Sequence, residues 1–291
     1  MAWLRTRKFS IRPKIASSIA ALGAIIAITT NWSGSPTPAA AVVPTIVTVE
    51  WHDGNADQID VLPILHAHSM HATFLVNTGP ILAGNPNKLT GAQLQTIFSD
   101  GNEIAGHTLD HVNVQPLSIT DARYQICTDR NNLLDMGFQP TSFAYPFASF
   151  DIASEDAAHY CNYNDASATA GLTLKGPAAN SVPPVDPYAI RTAPAVKKST
   201  KLNTLEQYVL NAEAFAQANG STWVIFVFHH LCDAHCGPYV ISPGKFNAFL
   251  DFLGTEATNG VVVKTMAEVM DGAVKGKCDP VAGTGCDTTP R

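Results

Sequence analysis

Two histidines four residues apart, His107 and His111, stand in the segment GHTLDH, where a strand-like run ends. On a helical turn, side chains at this spacing share one face, and two imidazoles can then bind one cation. Such a pair is weak evidence by itself, because exposed histidines are the usual explanation. The preceding glycine and the strand-end position favour the metal site.

A carboxylate, Asp53, follows the first predicted strand in the segment WHDG. Two histidines and one carboxylate are a common open zinc site, which leaves a coordination position for water. The alternative is that Asp53 and Gly54 simply form a turn, as Asp-Gly pairs often do. These residues alone leave both interpretations open.

Strands and helices that would position these residues alternate after the first forty residues. Apolar and β-branched runs predict strands at 45–51, 72–77, 103–105, 141–145, 223–228 and 261–264. Helical spacing predicts helices around 59–65 and at 93–98, 120–136, 151–160, 204–219 and 245–253. The stretch 175–200, rich in Pro, Ala and Ser, is predicted to be an irregular connection. This alternation indicates a mostly parallel α/β sheet, either a barrel or a doubly wound sheet.

The positions of the polar segments decide between these two architectures. EWHDG, GHTLDH, YPF and HH follow the first, third, fourth and penultimate predicted strands. In a closed α/β barrel the carboxyl ends of the strands converge on one mouth, where active sites lie. We therefore predict a single-domain barrel.

The first 41 residues form a separate region. Basic residues precede the uncharged apolar stretch 15–30, and a Pro-rich segment then leads to three alanines at 39–41. This order predicts a cleaved signal peptide with a Pro/Ala-rich leader at 1–41, and hence secretion. A retained membrane anchor is the alternative, but the apolar run is shorter than the ~20 residues of a spanning helix. We predict a domain at 42–272 and a tail at 273–291, with no stable membrane span after cleavage.

Composition limits the choice of partner. Of 291 residues, 46% are hydrophobic and 14% are charged, with a formal net charge of -6. This length can bury a substantial core. A weakly acidic chain without a basic run argues against nucleic acid and favours a neutral polymer or a small molecule.

Six cysteines in an exported chain predict disulfides, although sequence alone cannot choose among the possible connectivities. In sequence order, the predicted pairs are Cys127 with Cys161, Cys232 with Cys236, and Cys278 with Cys286. A zinc site formed by Cys232, Cys236 and His235 is the alternative, which an oxidising compartment disfavours.

Five segments in order, EWHDGNADQ, HATFLVNTG, DGNEIAGHTLDH, SFAYPF and VFHH, carry a family resemblance. Together they resemble the polysaccharide deacetylases, the NodB-like carbohydrate esterase family 4, over roughly residues 42–270. The resemblance implies a distorted (β/α) barrel, a divalent metal with zinc as the expected ion, and an acetylated polysaccharide or oligosaccharide as substrate.

The resemblance also implies roles for individual residues. The implied metal ligands are Asp53, His107 and His111. Phe147, in the segment AYPF, would offer its backbone N–H to the oxyanion, and His229 would be the general acid. His52 stands at the position of the general base.

Two positions depart from the family pattern. His52 replaces the base Asp, and Ala144 replaces the Arg that tethers this Asp. An imidazole can be a general base because its ordinary pKa, about 6.5, is close to neutral pH. Alternatively, His52 would bind the metal itself and close the site. We predict a secreted deacetylase that hydrolyses N-acetyl or O-acetyl groups of a polymer such as chitin or peptidoglycan. The alternative is a catalytically impaired homologue that binds metal and carbohydrate.

Overall fold

The computed structural model describes residues 42–233 and 236–291, so the predicted leader at 1–41 and His235 lie outside the described residues. The strands are β1 (Thr45–His52), β2 (Thr73–Val76), β3 (Glu103–Gly106), β4 (Ser142–Ala144), β5 (Asp165–Gly171), β6 (Asn180–Ser181), β7 (Ile190–Thr192), β8 (Thr222–Phe228), β9 (His230–Leu231), β10 (Val240–Ile241) and β11 (Val261–Val263). The α-helices are α1 (Leu62–Ala67), α2 (Thr78–Leu82), α3 (Gly91–Ser99), α4 (Ile119–Asp135), α5 (Ile152–Tyr160), α6 (Leu202–Asn219), α7 (Pro243–Glu256) and α8 (Met266–Met270). Short 3₁₀ helices occupy Ala56–Val61, Pro146–Ala148 and Ala257–Asn259.

The main sheet has the order β6-β8-β1-β2-β3-β4-β5-β7, with β11 beside the start of β1. Its pairs are parallel except for β6, which runs antiparallel to β8. Just after β7, the N–H of Ala193 donates to Ile225 O at 2.8 Å, and the N–H of Val196 donates to Val227 O at 2.9 Å. The sheet therefore curls back towards β8, and the predicted distorted (β/α) barrel is confirmed.

The central strand β1 is buried along its whole length because both of its faces are covered. Val49 and Trp51 belong to the large apolar cluster, where Trp51 meets Phe246 of α7 edge to face at 5.2 Å. Side chains alternate along a strand, so Glu50 and His52 point to the opposite face, the interior of the barrel. This alternation delivers two polar groups to the barrel interior from an otherwise apolar strand.

Most predicted helices begin where a side chain caps the backbone. Thr90 and Gln93 form a capping box at the start of α3, and Ser118 accepts the N–H of Asp121 at the start of α4. After α4, the chain turns at Gly137 with φ of 88°, a conformation that glycine adopts without a Cβ penalty. Local capping chemistry therefore explains why these helices are predictable from sequence.

The sequence pattern does not predict β5, and it predicts an irregular connection where β6 and β7 are found. The segment DASATAG carries few apolar residues because Asp165 and Ser167 are buried in a polar barrel interior. The two short strands β6 and β7 pair with β8 and β5, respectively. Pairing with other strands therefore makes these segments β-strands, although their own composition does not predict it.

The three predicted disulfides are confirmed: Cys127–Cys161, Cys232–Cys236 and Cys278–Cys286. A disulfide between Cys232 and Cys236 leaves no thiolates for the alternative zinc site. In the tail, the carbonyls of Lys275 and Gly276 accept hydrogen bonds from buried Arg130 of α4, both at 2.8 Å. Within residues 42–233 and 236–291, no helix is long and apolar enough to cross a membrane.

Candidate metal centre and active site

Three side chains meet at the carboxyl ends of β1 and β3. Nε2 of His111 lies 3.1 Å from Oδ1 of Asp53, and Nε2 of His107 lies 3.5 Å from the same oxygen. The ligand atoms of Asp53, His107 and His111 all lie within 4.8 Å of one another. Oδ1 of Asp53 is buried without a well-directed hydrogen bond from a described residue. The lone pairs of this group therefore converge on one point, which fits a bound cation.

Left-handed backbone at two of these positions aims the ligands. Asp53 has φ of 74° and is followed by Gly54 with φ of 62°, so the predicted turn exists and itself directs the carboxylate. Lys88 donates from Nζ to the carbonyl of Asp53 at 2.9 Å and holds this turn. His111 has φ of 57°. The segment 107–111 is therefore not helical, and the predicted helical turn is wrong although the two imidazoles do meet.

His107 is held in one orientation and one tautomer. Nδ1 donates to Ala144 O at 2.7 Å, so Nε2 keeps its lone pair for a metal. Oδ2 of Asp129, on α4, accepts the backbone N–H of His107 at 3.0 Å. A Cβ at the preceding Gly106 would overlap the hydroxyl of Tyr163, so glycine is required there. These contacts fix the position of the ring before any ligand binds.

The electrostatics of the three side chains also suit a cation. Burial lowers the pKa of His107 to about 4, so its imidazole is neutral at pH 7. Burial alone would raise the pKa of Asp53, but the neighbouring imidazoles of His107 and His111 hold it well below its ordinary value. One carboxylate and two imidazoles match the donor set of open zinc sites.

His52 lies beside this group but does not complete it. Its ring meets the ring of His107 edge to face, with centroids 4.8 Å apart. Nε2 of His52 lies 2.8 Å from Oε2 of Glu50, and both side chains are buried. Burial lowers the pKa of His52 to about 4 and raises that of Glu50 to about 8. The ligand atoms that lie within 4.8 Å of one another belong to Asp53, His107 and His111 and include no nitrogen of His52, which favours a role beside a metal over that of a fourth ligand.

His229 follows β8 and lines the same cleft as this group. Its ring centroid lies 5.6 Å from that of His52 and 5.2 Å from that of Tyr239. Nε2 of Gln58 donates to the carbonyls of His52 at 2.5 Å and His229 at 2.8 Å, which ties the two strand ends together. Burial lowers the pKa of His229 to about 3. The next residue, His230, instead pairs with Asp57 outside the cleft.

All the predicted site residues line one cleft of about 380 Å³. They are His52, Asp53, His107, His111, Phe147 and His229. Phe147 is 64% exposed and its ring lies 4.7 Å from that of His111, while a second aromatic residue, Tyr239, is 39% exposed and lines the same cleft. An open cleft with two exposed rings can accept part of a long ligand.

Several residues that shape the cleft have no role implied by the sequence, although Glu50 and Gln58 lie at the two ends of the segment EWHDGNADQ. Glu50 contacts His52 on the same strand, whereas Gln58, Asp129 and Tyr239 act through contacts with residues of other elements. Only Glu50 carries a readable signal, because a charge interrupts the apolar run of β1 at the same strand face as His52.

Two comparisons of the sequence give different results. Residues 45–166 match the model of a family described as polysaccharide deacetylase. None of the curated proteins is similar in sequence to this chain.

Solved structures with the same fold include a peptidoglycan N-acetylglucosamine deacetylase bound to 4-naphthalen-1-yl-N-oxidanyl-benzamide. Its TM-score is 0.54 at 14% identity, with 80% of this chain and 95% of that chain covered. A CE4 family pseudoenzyme from Bacillus anthracis matches with a TM-score of 0.50 at 16% identity, covering 78% of this chain and 66% of that chain. A mutant of this pseudoenzyme with restored enzymatic activity matches with a TM-score of 0.51 at 16% identity, covering 78% and 68%. At such identities the likeness shows the fold alone.

Proposed function

We propose that this chain is a metal-dependent hydrolase that removes acetyl groups from a carbohydrate polymer, since residues 45–166 match the model of the polysaccharide deacetylase family. The observation that carries the proposal is the convergence of Asp53, His107 and His111 beside two further histidines in one cleft. Polymers of N-acetylglucosamine, such as chitin or peptidoglycan, are the proposed substrates, ahead of O-acetylated xylan. One of the solved structures with the same fold is a peptidoglycan N-acetylglucosamine deacetylase, which is consistent with this order.

Asp53, His107 and His111 are the proposed ligands of one divalent metal, with zinc the best match to the donor set. Such a metal, when bound, polarises the acetyl carbonyl and lowers the pKa of water from about 16 towards about 7. The tautomer of His107, fixed by its hydrogen bond to Ala144 O, supports this assignment.

His52 is the proposed general base. Its Nε2 is engaged by Glu50, so Nδ1 is the nitrogen that remains to take a proton from the attacking water. The water oxygen then bonds to the acyl carbon as its O–H bond breaks. General-base assistance of this kind contributes typically ~10²–10⁴-fold to the rate.

His229 is the proposed general acid, and the backbone N–H of Phe147 is the proposed oxyanion donor. The proton that His52 takes from water passes to His229, whose ring centroid lies 5.6 Å away. When the bond between the acyl carbon and nitrogen breaks, His229 donates this proton to the amine, and acetate departs. Because burial lowers the pKa of His229, an imidazolium formed there gives up its proton readily. Phe147 has φ of 63°, and its left-handed backbone sets the direction of its N–H at the rim of the cleft.

The alternative function is binding of metal and carbohydrate without turnover. Two observations favour it: the position of the family's base Asp holds His52, and the position of its tethering Arg holds Ala144. A CE4 family pseudoenzyme shares the fold.

Acetate release from acetylated chitooligosaccharides, peptidoglycan fragments and xylan distinguishes these functions. The deacetylase proposal predicts release that a chelator abolishes and zinc restores. Asp53→Ala should lose both metal and activity, whereas Asp60→Ala, a matched change at an exposed carboxylate, should lose neither. Metal binding with no acetate release from any polymer would support the binding protein instead.

Export is proposed from two features. The sequence of residues 1–41 has the order of a signal peptide. The three disulfides are typical of proteins in oxidising compartments. Amino-terminal sequencing of the mature protein from culture medium should find a start near residue 42.

A further inference from the structure

A buried carboxylate stands directly behind the proposed base. Glu50 and His52 are two residues apart on β1, so both project into the barrel. Oε2 of Glu50 lies 2.8 Å from Nε2 of His52, while the exposed fractions of the two residues are 0% and 1%. A hydrogen bond between two fully enclosed side chains determines how the imidazole ring is oriented.

The groups near Glu50 that can carry a positive charge are imidazoles: that of His52, which contacts it, and that of His107. Ser167 on β5 donates from Oγ to Oε2 of Glu50 at 3.4 Å, and Oε1 is buried without a hydrogen-bond partner in the described part of the chain. No lysine or arginine among the described residues forms an ion pair with Glu50. Such an enclosed carboxylate is costly unless it has a partner, so its position calls for an explanation.

Across the barrel, Ala144 ends β4 with a methyl group that packs with Leu75 and Ala105. The resemblance places an arginine here, where it tethers a carboxylate base. In this chain the base position holds an imidazole and the tether is a carboxylate from β1 itself. Relative to the family pattern, the base changes from a carboxylate to an imidazole, and its partner changes from an arginine to a carboxylate. This partner also lies on β1 instead of β4.

We propose that Glu50 is the positioning residue of His52: it accepts a hydrogen bond from Nε2–H and so leaves the lone pair of Nδ1 facing the cleft. This inference rests on the proposed function, in which His52 is the base. The hydrogen bond alone sets this orientation, since an oxygen of a carboxyl group can accept Nε2–H in either protonation state of that group. Glu50 itself touches neither water nor substrate.

Three variants, measured in the metal-loaded protein, test this role. Glu50→Leu removes the acceptor, Glu50→Gln keeps an acceptor without the charge, and Glu103→Gln is the matched control at another buried carboxylate of the barrel. We expect Glu50→Leu to lower kcat by ~10²-fold, in the range of general-base assistance, with KM and zinc content unchanged. Glu50→Gln should recover part of the loss, and Glu103→Gln should match the wild type. A wild-type kcat in Glu50→Leu would overturn the proposal.

A second readout does not depend on turnover. In protein labelled with ¹⁵N-histidine and loaded with zinc, the resonances of His52 are those missing from the spectrum of His52→Gln. The proposal predicts the Nε2–H tautomer in the wild type and its loss in Glu50→Leu. An Nδ1–H tautomer in the wild type would overturn the role of Glu50 even if the enzyme is active. If instead no polymer is deacetylated but the Nε2–H tautomer depends on Glu50, then the proposed function fails and the positioning contact stands.

Discussion

Oε2 of Glu50 and Nε2 of His52 lie 2.8 Å apart inside the barrel, and His52 is followed directly by Asp53. The proposed base ends β1 and one proposed metal ligand, Asp53, follows it directly, whereas His107 and His111 follow β3. A substitution of His52 therefore also changes the environment of Glu50. Single and double variants at these two positions can test the role of each residue.

His52→Asp restores the residue type of the family's base but puts a second carboxylate beside Glu50. Like charges at this distance disfavour ionisation of the pair, so we expect weak activity. In the double variant His52→Asp/Glu50→Gln, the amide can donate to the new carboxylate, and kcat should exceed that of the single variant by about tenfold. Acetate release by the four proteins of this cycle gives the coupling directly. Equal rates in the single and double variants would show that Glu50 does not influence position 52.

Asp129→Asn tests the support behind the metal ligands. Oδ2 of Asp129 accepts the backbone N–H of His107, and Oδ1 accepts the backbone N–H of Thr78. An amide can satisfy only one of these donors, so zinc affinity should fall by about 10–100-fold, as for other residues that orient metal ligands. Competition with a chromophoric chelator measures this affinity. Asp135→Asn, on the exposed side of the same helix, is the control and should bind zinc like the wild type.

Titration of the buried carboxyl group of Asp165 makes the free energy of unfolding depend on pH. Burial, reinforced by the charge of Glu103, raises the pKa of Asp165 well above its ordinary value. The folded protein therefore retains a proton that the unfolded chain releases above about pH 4. This contribution to stability is complete below the ordinary pKa and is lost as pH rises towards the folded pKa.

Asp165→Asn removes this titration while its amide oxygen can still accept from Ser142. We expect the variant to gain stability relative to the wild type as pH is raised from 5 to 8, in chemical denaturation at constant ionic strength. Asp60→Asn, at an exposed carboxylate, should follow the wild type at both pH values. A constant difference between Asp165→Asn and the wild type across this range would contradict the burial argument.

The disulfide Cys232–Cys236 follows His229 and closes a loop with a sequence separation of only 4, whereas Cys127–Cys161 spans 34. Chain entropy predicts a loss of about 2 kcal/mol on removing the short bridge and about 4 kcal/mol on removing the long one. The short bridge should matter more for catalysis, because the N–H of Cys232 donates to Ile241 O in the small sheet beside His229. Replacing each pair with serine, then measuring unfolding and kcat, should separate the two effects. A larger fall in kcat for the distant pair would contradict this assignment.

The fold is largely predictable because its signals are local. The apolar run of β1 and the capping residues of α3 and α4 act over a few residues, and the polar segments at strand ends indicate the barrel mouth. By contrast, β5 is a polar strand whose residues Asp165 and Ser167 face other buried polar groups. Nothing within the segment itself distinguishes it from a loop, so its pairing with β4 decides its structure.

The candidate site shows the same division. His107, His111 and Asp53 are recognisable from their types and positions, but the helical geometry expected for the two histidines is wrong, because left-handed residues bring them together. The contact between Glu50 and His52 follows from strand alternation, yet the burial that gives it meaning requires the closed barrel. Tyr239 reaches the cleft from a part of the chain without any recognisable motif.

The most direct test of the account is acetate release by zinc-loaded wild type and His52→Ala from oligomers of N-acetylglucosamine, with metal content measured in both. The account predicts release by the wild type and a rate lower by ~10²–10⁴-fold in His52→Ala at equal zinc content, since the general base is then absent. A rate in His52→Ala equal to or above that of the wild type, with zinc retained, would contradict the claim that His52 is the base of a deacetylase.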